Sequence, residues 1–310
     1  MLHVLVLGAA AGGGVPQWNC NCPICRTARS ERPALRSTQA SAAVSADGEN
    51  WFLINASPDL RQQIVDNPQL NPRHGLRHSP IAGVVLTNGD VDAIAGLLHL
   101  REGQPFTVYG HDRVLAVLRE NSVFNVLDPR LVNRRAIELE SPFTLDLPDG
   151  SPSGIEVVAF ALPGKVPLYL EDEDQADAGY GTALGDTLGL HIRNRANGAH
   201  LFYLAACGAM TPELAQRVSG ASLVFFDGTL WRDDEMIRAG LGRKTGRRMG
   251  HMSMSGTDGA IAAFAPLNVG RKYFLHINNS NPALLPESKE RAELKQAGWE
   301  IPADGTEIIL

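Results

Sequence analysis

Three of the four cysteines stand within six residues, as Cys20, Cys22 and Cys25 of Cys-Asn-Cys-Pro-Ile-Cys. Thiolates at the first, third and sixth positions of a tight turn can converge on one tetrahedral Zn²⁺ at about 2.3 Å. They leave one ligand to come from elsewhere in the chain, so such a site is closed to substrate and structural. The run reads as a metal clip in a reducing compartment, not as a disulfide framework.

Carboxylates and imidazoles at strand ends form a second set. Thr87-Asn88-Gly89-Asp90-Val91-Asp92-Ala93 leaves a strand and opens a helix. Asp90 and Asp92 there suit an N-cap and first-turn pair, and they also suit metal ligands. Asp227 closes Phe-Phe-Asp-Gly-Thr, His251 sits in Gly-His-Met-Ser-Met, and His276 ends Lys-Tyr-Phe-Leu-His before Asn-Asn-Ser-Asn. Imidazole beside carboxylate suits Zn, Mn or Fe(II). The other histidines lack such company and read as structural or exposed. Arg243, Lys244, Arg247 and Arg248 lie in a glycine-rich loop, where guanidinium groups could meet a substrate's carboxylates. The glycines at Gly8 and Gly12–Gly14 lack the lysine of a phosphate loop and open no dinucleotide-binding helix. They read as a loop that needs positive φ and close backbone approach.

The elements that must position these residues follow from the pattern. Expected strands are His3–Leu7, Gln39–Ala46, Trp51–Asn55, Ile81–Thr87, Phe106–Tyr109, Phe143–Leu147, Ile155–Ala161, Val166–Leu170, Thr187–Arg195, His200–Ala205, Ser222–Phe226 and Lys272–Ile277. Expected helices are Val91–Leu100, Asp112–Asn121, one starting at Thr211-Pro212, Asp258–Phe264 and Pro286–Ala297. Gly8–Cys25, the acidic Glu171–Asp177 and the basic Arg238–Gly250 read as loops, the acidic one solvated and the basic one mobile. Strand-rich order with helices after strands in each half predicts α/β (α+β) architecture, two sheets covered by outer helices, in a single domain over 1–310.

Composition bounds the rest. The chain has 310 residues, 44% hydrophobic and 20% charged, with net charge −6, which argues against nucleic acid and anionic membranes. No apolar run approaches the roughly 18 residues of a membrane span, and the start lacks a basic region, so neither membrane insertion nor a signal peptide is expected. A cytoplasmic location follows as an expectation.

The segments G-A-A-A-G-G-G-V-P-Q-W-N-C-N-C-P-I-C, N-A-S-P-D-L-R, T-N-G-D-V-D-A-I-A-G-L-L, F-F-D-G-T-L-W-R-D-D-E-M, M-G-H-M-S and L-H-I-N-N-S-N-P resemble the pyrroloquinoline quinone (PQQ) biosynthesis protein B family of the metallo-β-lactamase superfamily. The resemblance implies an αβ/βα four-layer sandwich. Hydrolases of that superfamily hold two metals through H-x-H-x-D-H, a later His, a bridging Asp and a last His. Here those first positions carry Asn88, Asp90 and Ala93, with only Asp92 kept, and the stretch expected to hold the bridging Asp reads Leu-Ala-Ala-Cys-Gly over 204–208.

Two ions about 3.5–4 Å apart need more ligands than remain. One ion could be held by His276, His251 and Asp92, with Asp227 or Asp90 in reserve, and His251 and Asp227 are the expected catalytic residues. Two histidines and one carboxylate with open positions match a non-haem Fe(II) oxygenase. The resemblance points to hydroxylation of the tyrosine ring in a Glu–Tyr intermediate derived from a precursor peptide. It also leaves a carrier role for PQQ or its precursor toward the periplasm, and a residual metal-dependent hydrolase. The expected cofactors are structural Zn²⁺ and functional Fe²⁺. The expected partners are the peptide-derived substrate or PQQ and other proteins of the pathway, with an oligomer open.

Overall fold

The computed structural model describes the backbone of residues 1–310 and every side chain but those of 177 and 178. In chain order the strands are β1 (His3–Gly8), β2 (Ser41–Ser45), β3 (Trp51–Ile54), β4 (Ile81–Val85), β5 (Phe106–Gly110), β6 (Val132–Ala136) and β7 (Pro142–Asp146). They continue as β8 (Pro152–Ala161), β9 (Leu188–Asn194), β10 (His200–Leu204), β11 (Leu223–Asp227), β12 (Arg271–Leu275), β13 (Trp299–Glu300) and β14 (Glu307–Ile309). The helices are α1 (Pro23–Ser30), α2 (Leu60–Asp66), α3 (Val91–Ile94), α4 (Asp112–Glu120), α5 (Pro212–Val218), α6 (Glu235–Arg238), α7 (Ala260–Phe264) and α8 (Lys289–Gln296). None is long and apolar enough to cross a membrane.

Two seven-stranded sheets face each other, ordered β14-β1-β2-β3-β4-β5-β6 and β13-β12-β11-β10-β9-β8-β7. In the first, β3 to β6 run parallel, and in the second β10 to β13 do. Alternation along β8 turns Ile155, Val157 and Ala159 inward to meet Val4, Phe52 and Ile54 of the opposite sheet. The inner parallel strands β3, β4 and β11 are buried on both faces because helices cover them. On the first sheet Leu5, Leu53 and Val84 pack with Leu60 and Leu115, and on the second Phe226, Phe274 and Trp299 pack with Leu214, Phe264 and Leu294. The αβ/βα sandwich expected from the sequence is the observed architecture.

Several expected elements differ. The loop ends at Cys22, which caps α1, so Cys25 sits in a helical first turn. Val166–Leu170 is not a strand, since Leu168–Leu170 forms a 3₁₀ turn. Glu171 is not solvated but 4% exposed and ion-paired. The basic segment is folded onto the body through turns and a 3₁₀ turn at Arg247–Met249.

Candidate metal centres

Two groups of metal-capable side chains stand out among the described residues. One is Cys20, Cys22 and Cys25, the other Asp227, His251 and His276, with the ligand atoms of each group within 4.8 Å of one another.

The cysteine group is made by the start of α1. The Cys22 Sγ accepts from the Cys25 N–H at 3.4 Å, and Pro23 occupies the first helical position, where its missing N–H costs nothing. Ile24 and Ala28 then bury the helix against the second sheet. Asn279 enters from the other end of the chain. Its amide Nδ2 lies 3.0 Å from Cys20 Sγ, 3.3 Å from Cys25 Sγ and 3.8 Å from Cys22 Sγ. The two ends of an amide are assigned from partners, and turned over its carbonyl oxygen faces three sulfurs. Three thiolates and one oxygen are a fitting donor set for a closed tetrahedral Zn²⁺ site.

The second group lies where the parallel strands end. Asp227 closes β11 in register with Leu275 of β12, so His276 is the next residue beyond that register. His276 has φ 57°, the left-handed region, which turns the chain as it leaves the sheet. Asp92 comes across from the first sheet's helix α3, and its Oδ2 meets His276 Nε2 at 2.9 Å. Gly12 and Gly13 bring the loop after β1 alongside, Gly13 at φ 95° and Gly12 with its missing Cβ 3.5 Å from Asp92 Oδ2.

Beneath the imidazoles runs a buried network. Asp227, 0% exposed, accepts His251 Nδ1–H at 2.6 Å, Cys207 N–H at 2.8 Å, and both the N–H and hydroxyl of Thr229, at 2.9 and 2.6 Å. The Thr229 hydroxyl also touches His276 Nδ1 at 2.9 Å and His251 Nδ1 at 3.1 Å. These contacts occupy the Nδ1 side of both rings, so Nε2 is left as the ligand atom. Asp227 therefore orients His251 from below. It does not line the cavity, and both its oxygens are taken.

The cavity above has a volume of about 680 Å³. Asp90, Asp92, His251, His276, Lys165, Lys244, Tyr169 and Tyr203 are among the residues that line it. Asp90 stands at the N-cap position of α3 but makes no capping hydrogen bond, and it lines the cavity. Burial, then the neighbouring Asp92, raise it to about 6. Ala93 also lines the cavity. Of the four basic loop residues, Lys244 faces this space and Arg248 backs it through Glu171. Arg243 is exposed away from it, and Arg247 pairs with Asp258 at 3.1 Å on the far side of His251. Thr229, Lys165, Glu171 and Asn279 were not singled out in the sequence. The Asp-Gly-Thr triplet at the end of β11 was the available signal for Thr229.

The charge state of His276 sets a pH dependence. Burial opposes its protonation, but the hydrogen bond and charge of Asp92, with Asp227 and Asp90 further off, raise it to about 8. A metal binds the neutral ring and must displace that proton. Affinity at this centre is expected to fall about tenfold per pH unit below about 8, a direct consequence of proton competition. Competitive metal titrations at several pH values on either side test it; an affinity flat across that range would remove His276 from the ligand set.

A family described as "Beta-lactamase superfamily domain" matches residues 50–277. A coenzyme PQQ synthesis protein B of Rhodopseudomonas palustris strain TIE-1 is 61% identical, with 100% of both chains covered. One of Gluconacetobacter diazotrophicus is 55% identical over 99% of each. The crystal structure of Zn²⁺-bound PqqB from Methylobacterium extorquens superposes with a TM-score of 0.92 at 49% identity, over 99% of this chain and 100% of that one. A diphosphatase of the PhnP family, at 19% identity and a TM-score of 0.68 over 100% and 98%, shares the fold. Identity of this order along the whole length, on the same sandwich, means that the chain belongs to the coenzyme PQQ synthesis protein B family of the β-lactamase superfamily.

Proposed function

We propose that the chain acts in PQQ synthesis as an Fe(II)-dependent hydroxylase of the tyrosine ring in a Glu–Tyr intermediate. Supporting this reading is one observation above the rest: two imidazoles with orienting partners beneath them and the Asp92 carboxylate line one 680 Å³ cavity. Bound iron would supply O₂ activation, the chemistry that a two-histidine, one-carboxylate set with open positions supports. His251, His276 and Asp92 would hold it, with Asp90 in reserve. Asp227 and Thr229 fix both rings. Tyr169, whose hydroxyl donates to the Gly89 carbonyl at 2.5 Å, ties its segment of the lining to the turn that carries Asp90.

One oxygen atom of O₂ enters the ring, and the other leaves as water with two protons and two electrons from an external reductant. Anaerobically loaded protein, given a tyrosine-containing precursor, ascorbate and O₂, is expected to consume O₂ in an iron-dependent way and add one oxygen to the precursor. Tight precursor binding with no O₂ uptake would favour the carrier role instead, a reading that Ala93 supports because it supplies no ligand where the H-x-H-x-D-H pattern has its last histidine.

The second metal is structural. Cys20, Cys22 and Cys25, with Asn279 closing the set, would hold Zn²⁺.

Ala93 offers a direct test of the cavity assignment. Ala93 lines the space next to Asp92. Ala93→His is expected to tighten metal binding there by about tenfold, one added imidazole ligand, with turnover level or lower because an open position is filled. Metal titration together with O₂ uptake reads both effects. Unchanged affinity would show that position 93 does not reach the ion.

A further inference from the structure

The cysteine clip faces solvent, yet what it holds leads to the cavity. Cys20 and Cys22 are half-buried, while Cys25 and Cys207 are fully buried. Trp18, two residues before Cys20, is 85% exposed. The Arg29 guanidinium of α1 donates to the carbonyls of Gln17 and Cys20, each at 2.5 Å, so the loop is also shaped by contacts other than its sulfurs. Cys22 occupies the N-cap of α1, where its sulfur accepts the Cys25 N–H. Cys-Pro-Ile-Cys thus has the C-x-x-C spacing of a reactive dithiol at a helix start. The three sulfurs lie within 4.8 Å of one another, and side-chain rotation brings Cys22 and Cys25 to the roughly 2.05 Å of a disulfide.

A zinc-bound sulfur is a thiolate, the nucleophilic form. Hydrogen peroxide is small enough to reach Cys22, whereas Cys25 is sealed from solvent. The Cys22 thiolate attacks one peroxide oxygen, the O–O bond breaks, and hydroxide leaves as water on taking a proton. The Cys25 thiolate then attacks the sulfenic sulfur, the S–O bond breaks, and a second hydroxide leaves as water on taking another proton. Two electrons pass from the sulfurs to the peroxide, and Zn²⁺ departs with its oxidation state unchanged. Asn279, whose amide lies 3.3 Å from Cys25 Sγ and whose carbonyl accepts the Cys22 thiol at 3.6 Å, loses both partners as the sulfurs join. His276 is three residues away along the chain.

We propose that the clip is a peroxide-modification site, where a Cys22–Cys25 disulfide expels the zinc and loosens the metal centre that His276 anchors. The inference rests on the zinc reading of the clip, and it does not depend on hydroxylation.

The full zinc-loaded chain is treated with hydrogen peroxide, which catalase then removes. Zinc released to a chromogenic chelator, disulfides mapped by mass spectrometry after alkylation, and Mn²⁺ titration of the cavity centre are read on the same sample. Mn²⁺ suits imidazole and carboxylate and not the sulfurs. About one zinc per chain is expected to leave as about two thiols disappear, with the disulfide at Cys22–Cys25 and Cys207 still reduced. Mn²⁺ affinity is expected to fall about tenfold, the scale on which loss of outer support weakens a metal site. A phosphine reductant with added Zn²⁺ is expected to restore zinc content and affinity, which oxidation to sulfinic acid does not allow. Zinc that leaves without that disulfide, zinc retained at peroxide concentrations that oxidise free cysteine, or Mn²⁺ affinity unchanged after zinc release would each overturn the inference. A chain that carries no zinc before treatment would remove the zinc reading, and the inference with it.

Discussion

His276→Ala is expected to empty the cavity metal centre and lower turnover by at least about 10³-fold, while the zinc at the cysteines stays in place. His276 is the residue on which the centre converges. Its Nε2 faces Asp92 from the opposite sheet, and its Nδ1 rests on the Thr229 hydroxyl. Without the ring, Asp92 loses its hydrogen-bond partner and the charge that holds its carboxyl below the ordinary range against burial. The remaining donors, His251 and an unpaired carboxylate, no longer enclose one ion. The backbone of this segment does not depend on the imidazole. Ile277 donates to the Ala9 carbonyl at 2.9 Å, and Ala11 donates to the Ile277 carbonyl at 2.8 Å. Asn279 therefore keeps its place among the sulfurs. Elemental analysis for iron and zinc, with O₂ uptake, reads the split. Iron retained at wild-type stoichiometry would exclude His276 as a ligand.

Much of this centre was legible because its residues sit at the ends of strands that the sequence marks strongly. Leu223–Phe226 and Tyr273–Leu275 are buried runs, and a parallel strand covered on both faces must read that way. The polar residue that ends such a run emerges where loops gather a site. Asp227 and His276 were found by that logic.

What the sequence hid were directions and long-range pairs. The Arg243–Arg248 run names four cations but not which way each points, and the fold sends Lys244 to the cavity and Arg247 to the opposite face. Glu171 reads as one of a solvated acidic group because the residues that bury it lie 6 positions before and up to 77 after it. Val166–Leu170 mimics a strand by its apolar content, yet the segment lines the cavity and pairs with no sheet. The role of Asp227 was also out of reach, because only the fold shows that all its acceptor capacity is spent under His251. The edge strands β6, β13 and β14 are short and partly polar or exposed, so periodicity carried little signal for them.

Cys22→Ser separates the two roles of the cysteine clip. Cys22 caps α1 through its Sγ and also offers that sulfur to a metal. Serine is among the best capping residues, so the variant keeps the helix start and removes only the thiolate. Any loss of stability then reports the metal. The protein is expected to drop from about one tightly held zinc to under about a tenth, as one ligand of a closed four-ligand site is lost. Zinc binding is folding free energy in such sites, and losing several kcal/mol of it should lower the melting temperature by about 10 °C or more in a domain of this size.

The effect should reach the functional centre through a short covalent path. Asn279 touches the three sulfurs and lies three residues after His276, and the Cys22 thiol donates to its carbonyl at 3.6 Å. Freed from the clip, that segment holds His276 less firmly. Iron affinity is therefore expected to weaken while activity per iron-loaded molecule is kept. Zinc content, thermal melts and iron titration on Cys22→Ser, with Cys22→Ala as the variant that also loses the cap, give each contribution separately. If serine and alanine destabilise equally and zinc content does not change, the cysteines are packing residues and the clip is not a metal site.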